Sequence, residues 1–158
     1  MFASRGTVIN VPNSLRAKVG GGLALNADAV AKAEAALKEL SANFAQWLQD
    51  EVARLEAARA AVKAEGRTPE LTEALYFRAH DLKGLGATYE YPLVGRICGS
   101  LCRLLDDPAK RLSAPLILID AHVDAVRACV SGEIRDADHP VGATLAAELE
   151  ARVVRHAV

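Results

Sequence analysis

Apolar residues recur at helical spacing along most of this chain. Between about Asp28 and Ala64, Val30, Ala33, Leu37, Leu40, Phe44 and Trp47 follow alternating steps of three and four. Leu48, Val52, Leu55, Ala58 and Val62 continue the stripe after one shift near Trp47. Such a stripe predicts a long amphipathic helix with one face buried, or two helices if the chain breaks at Ser41-Ala42-Asn43. Asn26 is placed to cap it, Asp28 falls in its first turn, and Gly66 is a natural stop. A second helix opens on Thr68-Pro69-Glu70, a good cap followed by proline at the first helical position, and runs to about Thr88. A third follows Pro92 to about Leu105, with Leu93, Val94, Ile97, Leu101, Leu104 and Leu105 as its apolar set, and Asp106-Asp107-Pro108 ends it. A fourth runs from Ser113 to about Ser131 on Leu116, Ile119, Val123, Val126 and Val130, with Gly132 as its stop. A last helix spans about Pro140 to His156 and carries Leu145, Leu149 and Val153. Amphipathic helices on short connections predict an all-α protein: an antiparallel four-helix bundle with an additional helix, residues 27–158 forming one domain. Residues 1–26, with Val11-Pro12-Asn13-Ser14 and Gly20-Gly21-Gly22, read as an N-terminal tail.

Composition narrows the classes. With 158 residues the chain can bury one sizeable core. Its six prolines fall between the periodic stretches, and no Asn-Gly or Asp-Gly hairpin signal occurs, which argues against sheet. Nineteen Lys and Arg against twenty Asp and Glu leave a net charge of -1, the wrong balance for nucleic acid or an anionic membrane surface. Leu116-Ile117-Leu118-Ile119 is the longest aliphatic run, far below the roughly 20 residues of a membrane span. The start, Met-Phe-Ala-Ser-Arg, lacks an apolar signal core, so a cytoplasmic location is expected. Cys98, Cys102 and Cys129 make an odd set without a CxxC pair and read as small buried hydrophobes. Cys98 and Cys102 lie one turn apart and offer at most a two-ligand metal face. No phosphate-binding loop, nucleophile elbow, HExxH or paired Glu-x-x-His occurs, so neither cofactor nor metal is expected.

One candidate site stands out, on the second helix. At about 100° per residue, Leu71, Leu75, Leu82 and Leu85 cluster on one face with Ala74 and Ala79 flanking them. His80 then points roughly the opposite way, toward solvent. Tyr76, Phe77, Lys83, Gly84 and Ala87 surround it. Gly84 and Gly86 cost the helix about 1 kcal/mol each relative to alanine. A glycine on an outer face returns no packing, but it lets another molecule come close. An imidazole is in large part neutral, and nucleophilic, at pH 7. An exposed one can attack a phosphoryl group brought by a partner, forming an N–P bond labile enough for onward transfer. The phosphoryl group carries nearly two negative charges, and Lys83, three residues on, can offset part of them.

Ala79-His80-Asp81-Leu82-Lys83-Gly84 resembles the A-H-x-L-K-G core of histidine-containing phosphotransfer domains, the HPt family of two-component phosphorelays. The likeness extends over roughly Glu70 to Leu105. It implies a helical bundle with the phosphoaccepting histidine exposed in mid-helix. On that resemblance His80 is phosphorylated through Nε2, Lys83 stabilises the phosphate, and Gly84 admits a receiver domain, with Tyr76, Phe77 and Ala87 as docking residues. The partners implied are the receiver domains of a hybrid sensor histidine kinase and of a response regulator. The protein is then a monomeric phosphocarrier rather than an enzyme. Leu85 departs from the family, which often has Ser or Ala after the glycine.

Two other classes compete. A sensor-kinase dimerisation segment typically has proline five residues after its histidine, where this chain has Leu85, and it needs an ATP-binding domain. A non-catalytic interaction bundle would leave His80 without chemistry. Arg78 falls toward the core face and reads as a snorkelling or ion-paired structural residue. His122, between Asp120 and Asp124, has the wrong spacing for a helical ligand pair; His139 sits in a polar loop and reads as solvated; His156 lies where the helix dipole favours a cation.

Overall fold

A computed structural model describes residues 27–157. The tail expected over 1–26, and the cap expected at Asn26, lie outside the described residues. Six helices and no strand are present among them: α1 Ala27–Glu65, α2 Pro69–Thr88, α3 Pro92–Leu105, α4 Pro108–Arg111, α5 Leu116–Ser131 and α6 Pro140–Ala157. The chain divides into two compact units, Met1–Glu39 and Leu40–Val158. In the first, Ala27–Glu39 is helical, and Lys32 pairs with Asp28 one turn earlier at 2.9 Å.

The second unit is the helical bundle. Proline stands in the first turn of α2, α3 and α4, and Pro115 immediately precedes α5. The Thr68 hydroxyl accepts the Leu71 amide at 3.2 Å, closing the start of α2. Three rungs of ion pairs set α1 against α5: Glu56 with Arg127, Arg59 with Asp124, and Lys63 with Asp120. Rising numbers on one helix meet falling numbers on the other, so the two are antiparallel. Leu93 lies against Gly142, while Arg96 and Arg103 both reach Glu150, so α3 and α6 run parallel. α3 packs against α2, α5 and α6 and is the central element. Nine of its residues are buried, from Leu93 to Leu105.

The long stretch before Gly66 is one helix, unbroken at Ser41-Ala42-Asn43. Its apolar stripe is buried in one half only. Leu48, Val52, Leu55 and Val62 enter the core and Ala58 is half-buried, while Ala33, Leu37, Leu40 and Trp47 are exposed and Val30 and Phe44 are half-buried. It has 39 residues, against 14 to 20 for α2, α3, α5 and α6, so periodicity alone overstates its burial. In α6 the core positions are Ala146, Leu149 and Val153, with Gly142 against Leu93; Leu145 is turned out. In α5, Leu118, Ala125 and Cys129 join the expected apolar set, and Leu116 is only half-buried.

The inner face of α2 is Thr72, Leu75, Ala79, Leu82 and Gly86. Its centre is rotated by about 50° from the expected leucine face, leaving Leu71 and Leu85 at the edge and Ala74 exposed. Thr72 tolerates burial because its hydroxyl bonds the Thr68 and Pro69 carbonyls at 2.9 and 3.2 Å. Gly86 is buried against α3: a Cβ there would stand 2.5 Å from the Gly95 nitrogen. It is therefore a packing glycine and no part of an outer face. The two helices join through a tight turn in which Tyr91 donates to the Gly86 carbonyl at 2.7 Å and Glu90 takes a left-handed φ of 63°. Arg135 holds that turn, bonding Glu90 at 3.0 Å and lying 4.9 Å from the Tyr91 ring centre.

Candidate functional site

His80 is exposed in the middle of α2. Rotation of the buried face puts it about 125° from the core direction, on the solvent side though not diametrically opposite the core. Neither ring nitrogen has a hydrogen-bond partner among the described residues, so both stay available. Phe77 and Ala87 are exposed near it, Phe77 at 54%. Gly84, one turn on, is also exposed, and a Cβ there would meet no atom within 4 Å. The helix surface beside His80 is thus bare for lack of a side chain, not because a neighbour fills it. A shallow open depression lies here, lined by Glu51 of α1 and by His80, Asp81, Gly84 and Leu85.

Lys83 is exposed and makes no ion pair among the described residues. Its stem runs along α3, where a Cβ on Gly99 would lie 3.9 Å from its Cγ, Cδ and Cε. The glycine keeps that path free, so the aliphatic part packs while the ammonium stays in water. Arg78 is exposed, and its ion pair with Asp81 is long, at 3.9 Å.

Tyr76 is half-buried and engaged inward. Its hydroxyl donates to Asp106 at 3.4 Å, and its ring centre lies 6.1 Å from the His80 ring and 5.7 Å from Phe77. Partial burial and the neighbouring Asp106 carboxylate hold its phenol above the usual range. The Arg111 guanidinium lies 4.6 Å from the centre of the same ring. Asp106 directly follows α3, where the sequence marks only a helix stop, and Arg111 ends α4; no spacing rule links either to α2.

Of the other histidines, one differs from its expected setting: His139, read as solvated. His122 is fully buried between α5 and α3. Its Nδ1 lies 2.7 Å from the Leu118 carbonyl and its Nε2 3.0 Å from the Ser100 hydroxyl. A carbonyl only accepts, so Nδ1 carries the proton and Nε2 accepts from Ser100. Burial pushes this imidazole below its usual range; the Leu118 bond opposes that and Arg103 adds to it. His139 is half-buried and accepts the Gly142 amide at 3.2 Å, closing the start of α6 rather than sitting free in solvent. His156 lies in the last turn of α6, as expected. All three cysteines are buried and unpaired, and burial pushes each thiol up, Cys98 far above its ordinary value. Among the described residues no three His, Cys, Asp or Glu gather as metal ligands, and no helix is long and apolar enough to cross a membrane.

An all-helical bundle with an exposed histidine in mid-helix is the form expected of the phosphotransfer family that the sequence resembles. Comparison with protein families agrees: the model described as Hpt domain matches residues 39–129, more than half of the chain. The chain belongs to the histidine-containing phosphotransfer domain family, and with it to the phosphorelays of two-component signalling. No curated protein and no solved structure compared with it matches. Domains of this family are phosphocarriers, and their partners belong to the same relays.

Proposed function

We propose that His80 is the phosphoaccepting residue and that the protein relays a phosphoryl group between receiver domains, one on a hybrid sensor histidine kinase and one on a response regulator. The observation that carries this reading is the exposure of an unpartnered His80 beside the empty side-chain position of Gly84. The incoming group sits on a receiver aspartate. The Nε2 lone pair forms the N–P bond as the P–O bond to that carboxylate breaks. The carboxylate leaves with the bonding electrons, and the ring keeps its Nδ1 proton. Reversal with a second receiver completes the relay. The Lys83 ammonium offsets charge on the phosphoryl oxygens in both directions. Gly84 admits the receiver's active-site edge, and Phe77 and Ala87, with Tyr76 at the margin, supply the apolar docking area. The magnesium ion and most of the catalytic groups belong to the receiver, and the carrier works as a cytoplasmic monomer without a cofactor.

The test is transfer from a panel of phosphorylated receiver domains to the wild type and to His80→Gln, followed by intact mass and by acid lability. Acid-labile phosphate on the wild type alone supports the proposal. Failure of every receiver and of a small phosphoramidate donor, with helicity intact by circular dichroism, leaves the inert interaction bundle.

A further inference from the structure

Arg111 has an unusual setting. It is 6% exposed, yet among the described residues no carboxylate pairs with it. Its Nε donates to the Leu105 carbonyl at 2.6 Å and one terminal nitrogen to the Asp106 carbonyl at 3.4 Å, at the end of α3. Its remaining partner is the face of Tyr76, 4.6 Å away. Burying a guanidinium is costly unless hydrogen bonds or an opposite charge satisfy it, and here two carbonyls and a ring face do so. Here it joins the carbonyl end of the central helix to one aromatic ring on α2. The Tyr76 hydroxyl ties that ring to the same turn through Asp106.

The Tyr76 ring also neighbours His80, one helical turn on, with ring centres 6.1 Å apart and planes inclined by 36°. Among the described residues no hydrogen bond orients the His80 imidazole. An exposed ring without one samples several rotamers, and only some point Nε2 outward for in-line attack. We infer that Tyr76, clamped by Arg111 and Asp106, is a positioning residue that limits the rotamers of the His80 ring and so sets the rate at which phosphate is accepted. The inference rests on the proposed role of His80 and adds a second layer behind it, reaching from the α3–α4 turn to the reacting nitrogen.

A phosphoramidate donor tests it, because so small a molecule needs no docking surface and releases only ammonia. Maximal rate and half-saturation are measured for the wild type, Tyr76→Leu, Tyr76→Phe and Arg111→Met, with the fold checked by circular dichroism. Tyr76→Leu should lower the maximal rate about five-fold with half-saturation unchanged, while Arg111→Met and Tyr76→Phe, each of which releases one side of the clamp and keeps the aromatic ring, should each lower it about two-fold. The proton resonances of the His80 ring give a readout independent of transfer. A ring-current displacement should be present in the wild type and Tyr76→Phe and absent in Tyr76→Leu. A folded Tyr76→Leu protein that accepts phosphate at the wild-type rate, or that keeps the displacement, overturns the inference and leaves the role of His80 standing. A change in half-saturation alone also overturns it. A wild type that takes no phosphate on His80 removes the proposed function and this inference together.

Discussion

His80 and His122 sit on two helices that both pack against α3, one turned to solvent and the other to the core. His122 spends both ring nitrogens, one on the Leu118 carbonyl and one on the Ser100 hydroxyl, and its position between the helices is fully closed. His80 spends neither. The two glycines of α2 divide in the same way: Gly86 has backbone at 2.5 Å from where its Cβ would be, and Gly84 has nothing within 4 Å. Chemical availability in this molecule therefore comes from what the surroundings leave undone. The same residue type serves as a structural linker where its lone pair is used and as a nucleophile candidate where it is not.

That contrast can be broken by exchanging the demands on each pair. The largest effect should come from His122→Ala, which removes a buried ring and leaves the Ser100 hydroxyl without its acceptor. A loss of about 3 kcal/mol is expected in denaturant unfolding. His80→Ala should change stability by no more than about 0.5 kcal/mol while abolishing phosphate uptake. A larger cost at His80 than at His122 would reverse the assignment of inside and outside.

The glycines come next. Gly86→Ala should cost about 2 kcal/mol, because its Cβ must push α3 away and the gain in helix propensity of about 1 kcal/mol offsets only part of that. Gly84→Ala should raise stability by up to about 1 kcal/mol. A larger side chain at Gly84 should slow transfer from a receiver domain and leave phosphorylation by phosphoramidate unchanged. Equal slowing by both donors would show that the position matters to the histidine and not to docking.

The smallest expected effect is on pH dependence. Burial lowers the folded-state titration of His122, so the unfolded chain takes up a proton before the folded one does. The stability linked to its neutral form is fully present above the usual histidine value of about 6.5 and falls as pH drops below it. Thermal midpoints between pH 7 and pH 5 should decline in the wild type and decline less in a folded His122→Gln variant. Equal slopes would assign the sensitivity to other groups; Glu150, whose carboxyl is held low chiefly by its hydrogen bonds from Arg96, should add to the decline only below about pH 5.

Much of the architecture was legible before any coordinates. Helix limits followed from prolines, caps and stop glycines, which act locally: Thr68-Pro69 opened α2 where expected, and Asp106-Asp107-Pro108 closed α3. Burial was less legible, since periodicity shows that a face is apolar without showing what meets it. Leu37 is exposed despite a perfect position in the stripe, while Thr72 and Gly86 are buried against their type. Thr72 needed a backbone acceptor one turn back, and Gly86 needed Gly95 on another helix. The outward direction of His80 survived a 50° error in the core face, because a solvent-facing arc is broad. Tyr76 and Arg111 lie 35 positions apart in the chain, and only the packing of α4 against α2 brings them together.

The enclosure of α3 has a consequence in time as well as in space. Its backbone amides are covered by α2, α5 and α6 and should be among the last to exchange with deuterated water, opening only when the whole bundle does. α2 rests directly on this slow element, glycine against glycine, so the segment bearing His80 inherits its rigidity. A receiver that docks there as proposed should meet a platform more rigid than the loops and chain ends. On the proposed function, conformational adjustment during phosphoryl transfer should then fall mainly to the partner.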